Sequence, residues 1–588
     1  MPRVPGVTRC CQGTSSVPAR CSCSKALAAA AGATPSGVPS RKCSMTSSTS
    51  TSVSRRQRST TASSSIRRPC RSARLLPRPS EADGWRARHL NTPRRPLSTP
   101  ALGRCFSFHG CPIHPKAIGA MMKLNPTPPL KRSYWQESID ASAPTPALRG
   151  MEKADIAIIG GGFVGLWTAL TLKQHEPDCD VVILEQDVCG GGASGRNGGF
   201  AMSWWPKIGT LQSLCSTEQA LFLGRSAEQA IHELGEFCRE HAIDAHFVQK
   251  GWLWTATTPA HVDSWNGTLQ ACARLGVQPF DRLSPKEVRR RTGSPIHLAG
   301  VFEASNATVQ PAALVQGLRR VALASGVRIH ERSGVTRIQP GMPAVLHTEG
   351  GQLQAEKVVL ATNAWSAAIP ELARLITPVN SSIAVTYPLG EEFEKIGWAG
   401  GESITDSQLM VDYYRTTRDG RIAFGKGTGA ISYRSEIKSI FSDDAQSIAM
   451  TCADLFHTYP SLRNDRISHG WAGPIDRTYD SLPVFGNLKG HANILYGIGW
   501  SGNGVSPSRL GGRILASMAL GRKDEWTQCG LVGRLCKPFP PEPFRYVGGS
   551  MVRNAVIRKE QAEMRGERPG TIDRLLASLA PSGLEDKS

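Results

Sequence analysis

Ala154-Asp155-Ile156-Ala157-Ile158-Ile159 runs into Gly160-Gly161-Gly162-Phe163-Val164-Gly165, and Leu166-Trp167-Thr168-Ala169-Leu170-Thr171-Leu172-Lys173 follows. The first six residues are rich in β-branched side chains and read as a short buried strand. The last eight hold no helix breaker and read as a helix. Between them stands G-x-G-x-x-G. A second apolar run, Asp180-Val181-Val182-Ile183-Leu184-Glu185, ends in an acid 20 positions beyond Gly165. Strand, glycine turn, helix, strand and acid in this order form a dinucleotide-binding arrangement. Gly160 permits the tight turn, Gly162 lets the backbone approach a pyrophosphate, and Gly165 lets the helix lie close to the sheet. Phe163 and Val164 open the helix, whose unpaired N–H groups and dipole favour phosphate. Glu185 is placed to accept hydrogen bonds from ribose hydroxyls and disfavours a 2′-phosphate, which points to FAD or NAD over NADP.

The next segment separates the two. Gly190-Gly191-Gly192-Ala193-Ser194-Gly195-Arg196-Asn197-Gly198-Gly199 holds six glycines in ten residues. Such a loop lets backbone lie flat against a ligand. It suits the ribityl and ring parts of a flavin, where an NAD domain would pass on to its next helix. The block Gly-Ala-Ser-Gly-Arg-Asn-Gly-Gly resembles the D-amino-acid-oxidase-like FAD-dependent oxidoreductases, with its nearest look to the γ-glutamylputrescine oxidase branch. The resemblance extends over about residues 120–588. It assigns Ala193, Ser194, Arg196, Asn197 and Gly198 to the cofactor. Thr308 to Val315, with Pro311 near the first turn, matches the start of a family helix. Val335 matches the position whose backbone meets the adenine. Thr362 matches a cofactor position in Lys357 to Trp365, although Ala364 stands where the family often has Gly. Tyr496-Gly497-Ile498-Gly499-Trp500-Ser501-Gly502-Asn503-Gly504-Val505 resembles the family's last flavin-binding block. Gly499, Ser501, Gly502, Asn503, Gly504 and Val505 are the implied cofactor residues there, with Asn503 replacing the usual His.

The implied fold is α/β: a discontinuous Rossmann-type FAD-binding domain and an antiparallel-sheet α+β substrate domain. The FAD-binding domain is expected at 151–205, 300–378 and 466–525, and the substrate domain at 206–299 and 379–465. Residues 121–150 form a lead-in. Residues 526–588 form a C-terminal extension that wraps the surface, with a Pro-rich stretch from Pro538 to Pro543 and a polar helix near 550–565. The implied activity is oxidation of the C–N bond of an amine or amino acid by hydride transfer to flavin, giving an imine that hydrolyses. A helix starting after Val505 is expected to lend the flavin a positive dipole end. Oxygen or another acceptor then takes the electrons. A flavin-dependent NAD(P)H hydroxylase is the alternative, but it calls for a late Gly-Asp flavin motif where this chain has Ser-Gly-Asn-Gly-Val.

Three other stretches carry candidate chemistry. Gly420-Arg421-Ile422-Ala423-Phe424-Gly425-Lys426 approaches a phosphate-binding loop, but Gly427 supplies no hydroxyl for Mg²⁺; Asp419-Gly420 reads as a hairpin turn. Tyr413 and Arg415 share a face of the first strand of that hairpin. An Arg fork beside a Tyr hydroxyl can hold a substrate carboxylate, and a solvated hairpin is the plain alternative. Trp204 and Trp205 can wall an amine pocket by cation–π contact or pack in the core.

The charge of the 588-residue chain is uneven. Its net charge is +21, yet residues 1–120 hold 20 Lys and Arg against Glu81 and Asp83. The remainder is nearly neutral, and this split weakens the nucleic-acid reading that the whole-chain charge invites. Residues 1–120 read as a disordered basic Ser-, Pro- and Arg-rich segment. Upstream sequence before a true start at Met121 or Met122 is the preferred reading; a transit peptide and a nucleic-acid-binding tail are the alternatives. Cys105, His109, Cys111 and His114 cluster without a familiar zinc spacing, and no metal is expected. The uncharged runs Ile156 to Leu172 and Gly490 to Ser508 are too glycine-broken to span a bilayer. The expected location is cytoplasmic, or organellar if residues 1–120 are a transit peptide.

Overall fold

In a computed structural model the chain is described over residues 121–398 and 401–587. Nine strands form one sheet. Its centre is parallel: Gly351–Leu360 lies beside Gly150–Ile159, then Val181–Leu184, then Arg328–His330. Ile159 neighbours both Leu184 and Leu360, so the loops leaving these three strands emerge together. Every residue of Val181–Leu184 is buried, as a sheet covered on both faces requires. Beyond Leu360 the sheet adds His491–Ile498 in parallel and Val484–Leu488 antiparallel to that. The first half of Gly351–Leu360 carries Ala344–His347, followed by Arg337–Gln339 and Met122–Lys123.

Helix Phe163–His175 follows the glycine turn, and Pro507–Leu520 crosses it closely. A Cβ at Gly512 would stand 2.7 Å from the Trp167 carbonyl carbon, so only glycine allows this approach. Pro311–Ala324 is capped by Gln310, whose Oε1 accepts from the Ala313 N–H at 2.8 Å. Helix Thr217–Glu240 buries Ala220, Leu223, Ala227, Ala230 and Leu234, a helical stripe that joins the same core as Leu166 and Leu510. The same core also takes in Trp252, Trp254 and Val301 of the second sheet.

A second sheet of eight strands runs Ile467–Arg477, Thr377–Thr386, Ile422–Lys426, Asp412–Thr416, Ser403–Thr405, Trp252–Ala256, Ala299–Glu303 and Asp281–Leu283. Its pairs are antiparallel except Ser403–Thr405 with Trp252–Ala256. Two boundaries move here. Ile467–Arg477, expected with 466–525, pairs along Thr377–Thr386 and completes the ladder on that strand's open edge. Ala299–Glu303, at the expected start of 300–378, pairs with Trp252–Ala256. The stretch 412–426 is a hairpin of this sheet, with Gly420 at φ +74° in its turn.

The C-terminal extension forms helices Phe544–Met564 and Thr571–Ala577. The first begins directly after Pro543, earlier than 550. Val556 and Ala577 pack on Met410. Residues 1–120, with the Cys105, His109, Cys111 and His114 cluster, lie outside the described residues. Among the described residues, no helix is long and apolar enough to cross a membrane, and no group of His, Cys, Asp or Glu is arranged to hold a metal.

Candidate active site

One cavity of about 790 Å³ runs from the glycine turn to the face of the second sheet. Gly160 sits at φ +112°, and a Cβ there would fall 2.5 Å from the Ala361 oxygen. The turn is thus pressed between the ends of two neighbouring strands. Gly162 precedes helix Phe163–His175 and brings no capping side chain of its own, and the positive helix end faces the cavity. Ser194 Oγ accepts the Phe163 N–H at 2.9 Å. Gly165 does not line the cavity; its Cβ would overlap the Gly160 oxygen at 2.0 Å.

Glu185 stands at the end of the second strand, lining the cavity and almost fully buried. It accepts N–H groups from Gly161 (2.7 Å) and Asp187 (3.0 Å). Burial pushes its carboxyl up to about 7, against the pull of those two hydrogen bonds.

The loop 190–199 is fixed by its own side chains. Asn197 Nδ2 donates to the Ser194 oxygen at 2.9 Å and its Oδ1 accepts the Gly199 N–H at 2.8 Å. Ala193, Ser194, Asn197 and Gly198 line the cavity. Arg196 also borders it, but its guanidinium is turned away to the carbonyls of Ala472 (3.2 Å) and Lys131 (2.5 Å). The charged end ties the loop to the second sheet.

Val335 and Thr362 both line the cavity. So do Ser501, Gly502, Asn503, Gly504 and Val505. Gly499 does not; its N–H is held by Asp476. That aspartate, fully buried as the penultimate residue of strand Ile467–Arg477, accepts from the N–H groups of Gly499 (2.6 Å) and Trp500 (3.0 Å) and from Asn363 Nδ2 (2.8 Å). Burial pushes it up to about 7. Asp476 and Asn363 were missed by sequence reasoning. The signal was present: an acid directly after the mainly apolar run Trp471 to Ile475, ahead of the last glycine block. Asn363 Oδ1 and Asn503 Oδ1 are buried beside the cavity without a hydrogen-bond partner.

Tyr413 lines the cavity and Arg415 does not. Arg415 Nε donates to the Gly198 oxygen (2.8 Å) and its Nη2 to the Val309 oxygen (2.6 Å), while the group lies 4.9 Å from the Trp135 ring centroid. The expected carboxylate fork is corrected: buried carbonyls already occupy this guanidinium. The shared face of Tyr413 and Arg415 supports the glycine loop, since a Cβ on Gly198 would meet the Tyr413 ring at 2.9 Å. Trp204 and Trp205 belong to the hydrophobic core, and Trp205 Nε1 donates to Glu228. Neither borders the cavity.

A parallel sheet with a glycine cradle, an acid at the second strand end, and a cavity closed by an antiparallel sheet define a dinucleotide-dependent oxidoreductase. A family model for FAD dependent oxidoreductases (DAO) matches residues 155–518. The chain belongs to this family and its cofactor is FAD. A probable oxidoreductase OrdL of Haemophilus influenzae is 30% identical over 398 residues, 66% of this chain and 88% of that protein. Gamma-glutamylputrescine oxidoreductase of Escherichia coli is 29% identical over 392 residues, 66% of this chain and 89% of that protein. The solved structure of glycine oxidase from Geobacillus kaustophilus shares the fold, with a TM-score of 0.51 at 21% identity over 63% of this chain and 96% of that one. The residues present suit FAD. The cradle tolerates no side chain at Gly160, and the two orphaned amide oxygens of Asn363 and Asn503 call for N–H donors from a ligand.

Proposed function

We propose that this chain oxidises the C–N bond of an amine or amino acid, the substrate class in the names of the Escherichia coli and Geobacillus relatives. Bound FAD supplies a hydride acceptor, and the resulting imine hydrolyses in water. Gly160, Gly162, Phe163 and Val164 hold the pyrophosphate, with Gly165 allowing the helix to close on the turn. Glu185 takes the ribose and Val335 the adenine. Ala193, Ser194, Asn197, Gly198 and Thr362 shape the middle of the cradle, and Ser501 to Val505 its ring end. The helix Pro507–Leu520 starts just beyond that block, with no side-chain cap on its first turn, and directs its positive end there.

The observation that carries the reading is the state of the acids. Glu185 and Asp476 are the carboxylates on the cavity wall, and both are taken by backbone N–H groups. Among the described residues no histidine lines the cavity. Tyr413 donates or accepts with Ser381 at 2.8 Å, and burial pushes its hydroxyl up to about 12. The two wall carboxyls thus have their oxygens engaged by backbone N–H groups. A neutral amine, which gives up hydride without prior deprotonation at carbon, is the substrate form this wall accommodates. The test is anaerobic mixing of the FAD-loaded protein with a panel of amines, amino acids and NADPH. Bleaching of the visible flavin band by an amine supports the reading. Bleaching by NADPH and by no amine favours the hydroxylase alternative.

A further inference from the structure

Segments on both sides of the family match at 155–518 reach the cavity. The C-terminal extension brings Arg545 and Arg553 to its wall, and the lead-in before the match brings Leu124, Asn125 and Pro126. The lead-in arrives at the end of the cavity that Glu185 and Val335 line. The Leu124 N–H donates to the Thr336 oxygen at 2.9 Å. Pro126 packs on Gly334, where an added Cβ would stand 2.9 Å from the proline Cβ and 3.3 Å from that of Gln186. Thr127 then bridges two strand ends. Its N–H donates to Gln186 Oε1 at 3.2 Å, and its Oγ1 accepts from Trp365 Nε1 at 3.1 Å. Arg132 Nη1 and Nη2 donate to the two oxygens of Asp187 at 2.6 and 2.9 Å.

Beyond Arg132 the lead-in is built into the glycine loop. Ser133 Oγ donates to the Gly195 oxygen at 2.7 Å and Gln136 Nε2 to the Gly190 oxygen at 2.9 Å. These two side chains also form a capping box on the short helix Tyr134–Glu137. The Trp135 oxygen accepts from Gln310 Nε2 at 2.7 Å, and the Trp135 ring meets Trp471 edge to face at 6.1 Å between centroids. Leu124 and Trp135 are buried, with 7% and 1% of their surface exposed. Between these anchors the burial stops: from Asn125 to Arg132 every residue is half-buried or exposed. This span crosses the mouth of the cavity with its only printed holds on the body at Thr127, Lys131 and Arg132. It can lift without exposing core. Pro126, Pro128 and Pro129 stiffen it, so little chain entropy is lost each time it reseats.

We propose that the span Asn125–Arg132 is a clasp over the cofactor: latched at Thr127 and by the Arg132–Asp187 pair it keeps FAD in the cavity, and FAD enters and leaves when it lifts. The latches fall where retention needs them. Gln186 and Asp187 directly follow Glu185, and Trp365 stands at the end of the neighbouring strand, so a seated clasp ties both strand ends around the cavity. The bidentate pair is the stronger latch, since two charge-assisted bonds break together. The proposal depends on FAD being the cofactor and not on amine oxidation, so failure of either leaves the other standing.

The experiment compares full-length wild-type, Arg132→Gln and Thr127→Val proteins. FAD release is followed by the return of free-flavin fluorescence on dilution, and FAD uptake by quenching on mixing with FAD-free protein. Release is expected to be at least about tenfold faster in Arg132→Gln and about threefold faster in Thr127→Val. Uptake is expected to be as fast as in the wild type or faster, and the urea midpoint of the FAD-free protein unchanged. Release from Arg132→Gln within about twofold of wild type would overturn the proposal. So would faster release coupled to slower uptake, the mark of a wall whose shape is damaged and not of a clasp that is loosened. Should Arg132→Gln not fold, wild-type protein with and without FAD is cut with trypsin and the cuts after Lys131 and Arg132 are read by mass spectrometry. Those cuts are expected to be at least about tenfold slower with FAD bound, and equal rates would overturn the clasp.

Discussion

Glu185 and Asp476 show how burial and hydrogen bonding compete at single residues. A carboxyl held at about 7 in the folded chain keeps a proton that the unfolded chain releases near 4.5. Between those values the native state binds more protons. Stability contributed by Glu185 therefore falls as pH rises through this window and levels above about 7. Urea unfolding of the FAD-free protein at pH 5 and pH 8 should show this slope, and Glu185→Gln should flatten it. Ribose hydroxyls donate to the charged form, so FAD affinity is expected to tighten as pH rises through about 7 in the wild type and to lose that dependence in the variant. Asp476→Asn would set an NH2 group against the N–H of Gly499 or Trp500. A loss of about 1–3 kcal/mol is expected, read as a lowered melting temperature and reduced flavin retention. An unchanged variant would show that the loop 499–505 does not depend on this aspartate.

Elements explain why two glycines of the cradle differ. Gly160 is confined by its φ of +112° and by the Ala361 oxygen, whereas Gly502, at φ +95°, has no protein atom closer than 3.5 Å to an added Cβ. Gly160→Ala should purify without flavin. Gly502→Ala should keep the fold at the cost of backbone strain, roughly 1–2 kcal/mol, so that any flavin it loses reports a cofactor contact at the ring end. Flavin absorbance per chain distinguishes the two. The hairpin strand Asp412–Thr416 acts on the cradle through Arg415, which grips the Gly198 and Val309 carbonyls. Arg415→Gln is expected to weaken FAD binding about tenfold by flavin fluorescence titration, with no rescue by Lys, whose point charge cannot span two carbonyls. The sequence made the strand–turn–helix unit legible because each of its glycines has a local steric task. It placed Tyr413 and Arg415 on one face correctly but not their partners, because alternation gives a side and not the carbonyls that wait there. Asp476 was hidden for the same reason: its partners, Gly499, Trp500 and Asn363, lie 23, 24 and 113 residues away in the chain.

For the whole molecule, the family resemblance and the two-sheet α/β fold were readable from glycine blocks spread over more than 300 positions. The boundaries were less so. Strand Ile467–Arg477 carries no mark of which sheet it joins, and that choice is made by the open edge it completes. The extension's share of the cavity wall was also unreadable, since Arg545 and Arg553 look like an ordinary solvated helix face until the fold turns them inward. The two sheets enclose a chamber whose acids already accept backbone N–H groups, and under the proposed function the protein supplies position and field while the amine arrives uncharged. The direct test is the pH dependence of anaerobic flavin bleaching by two substrates whose amines differ in pKa. The apparent pKa of the reaction is predicted to follow that of the substrate amine, the rate rising as the amine deprotonates. An apparent pKa that stays fixed while the substrate changes would reveal a base on the protein and contradict this account.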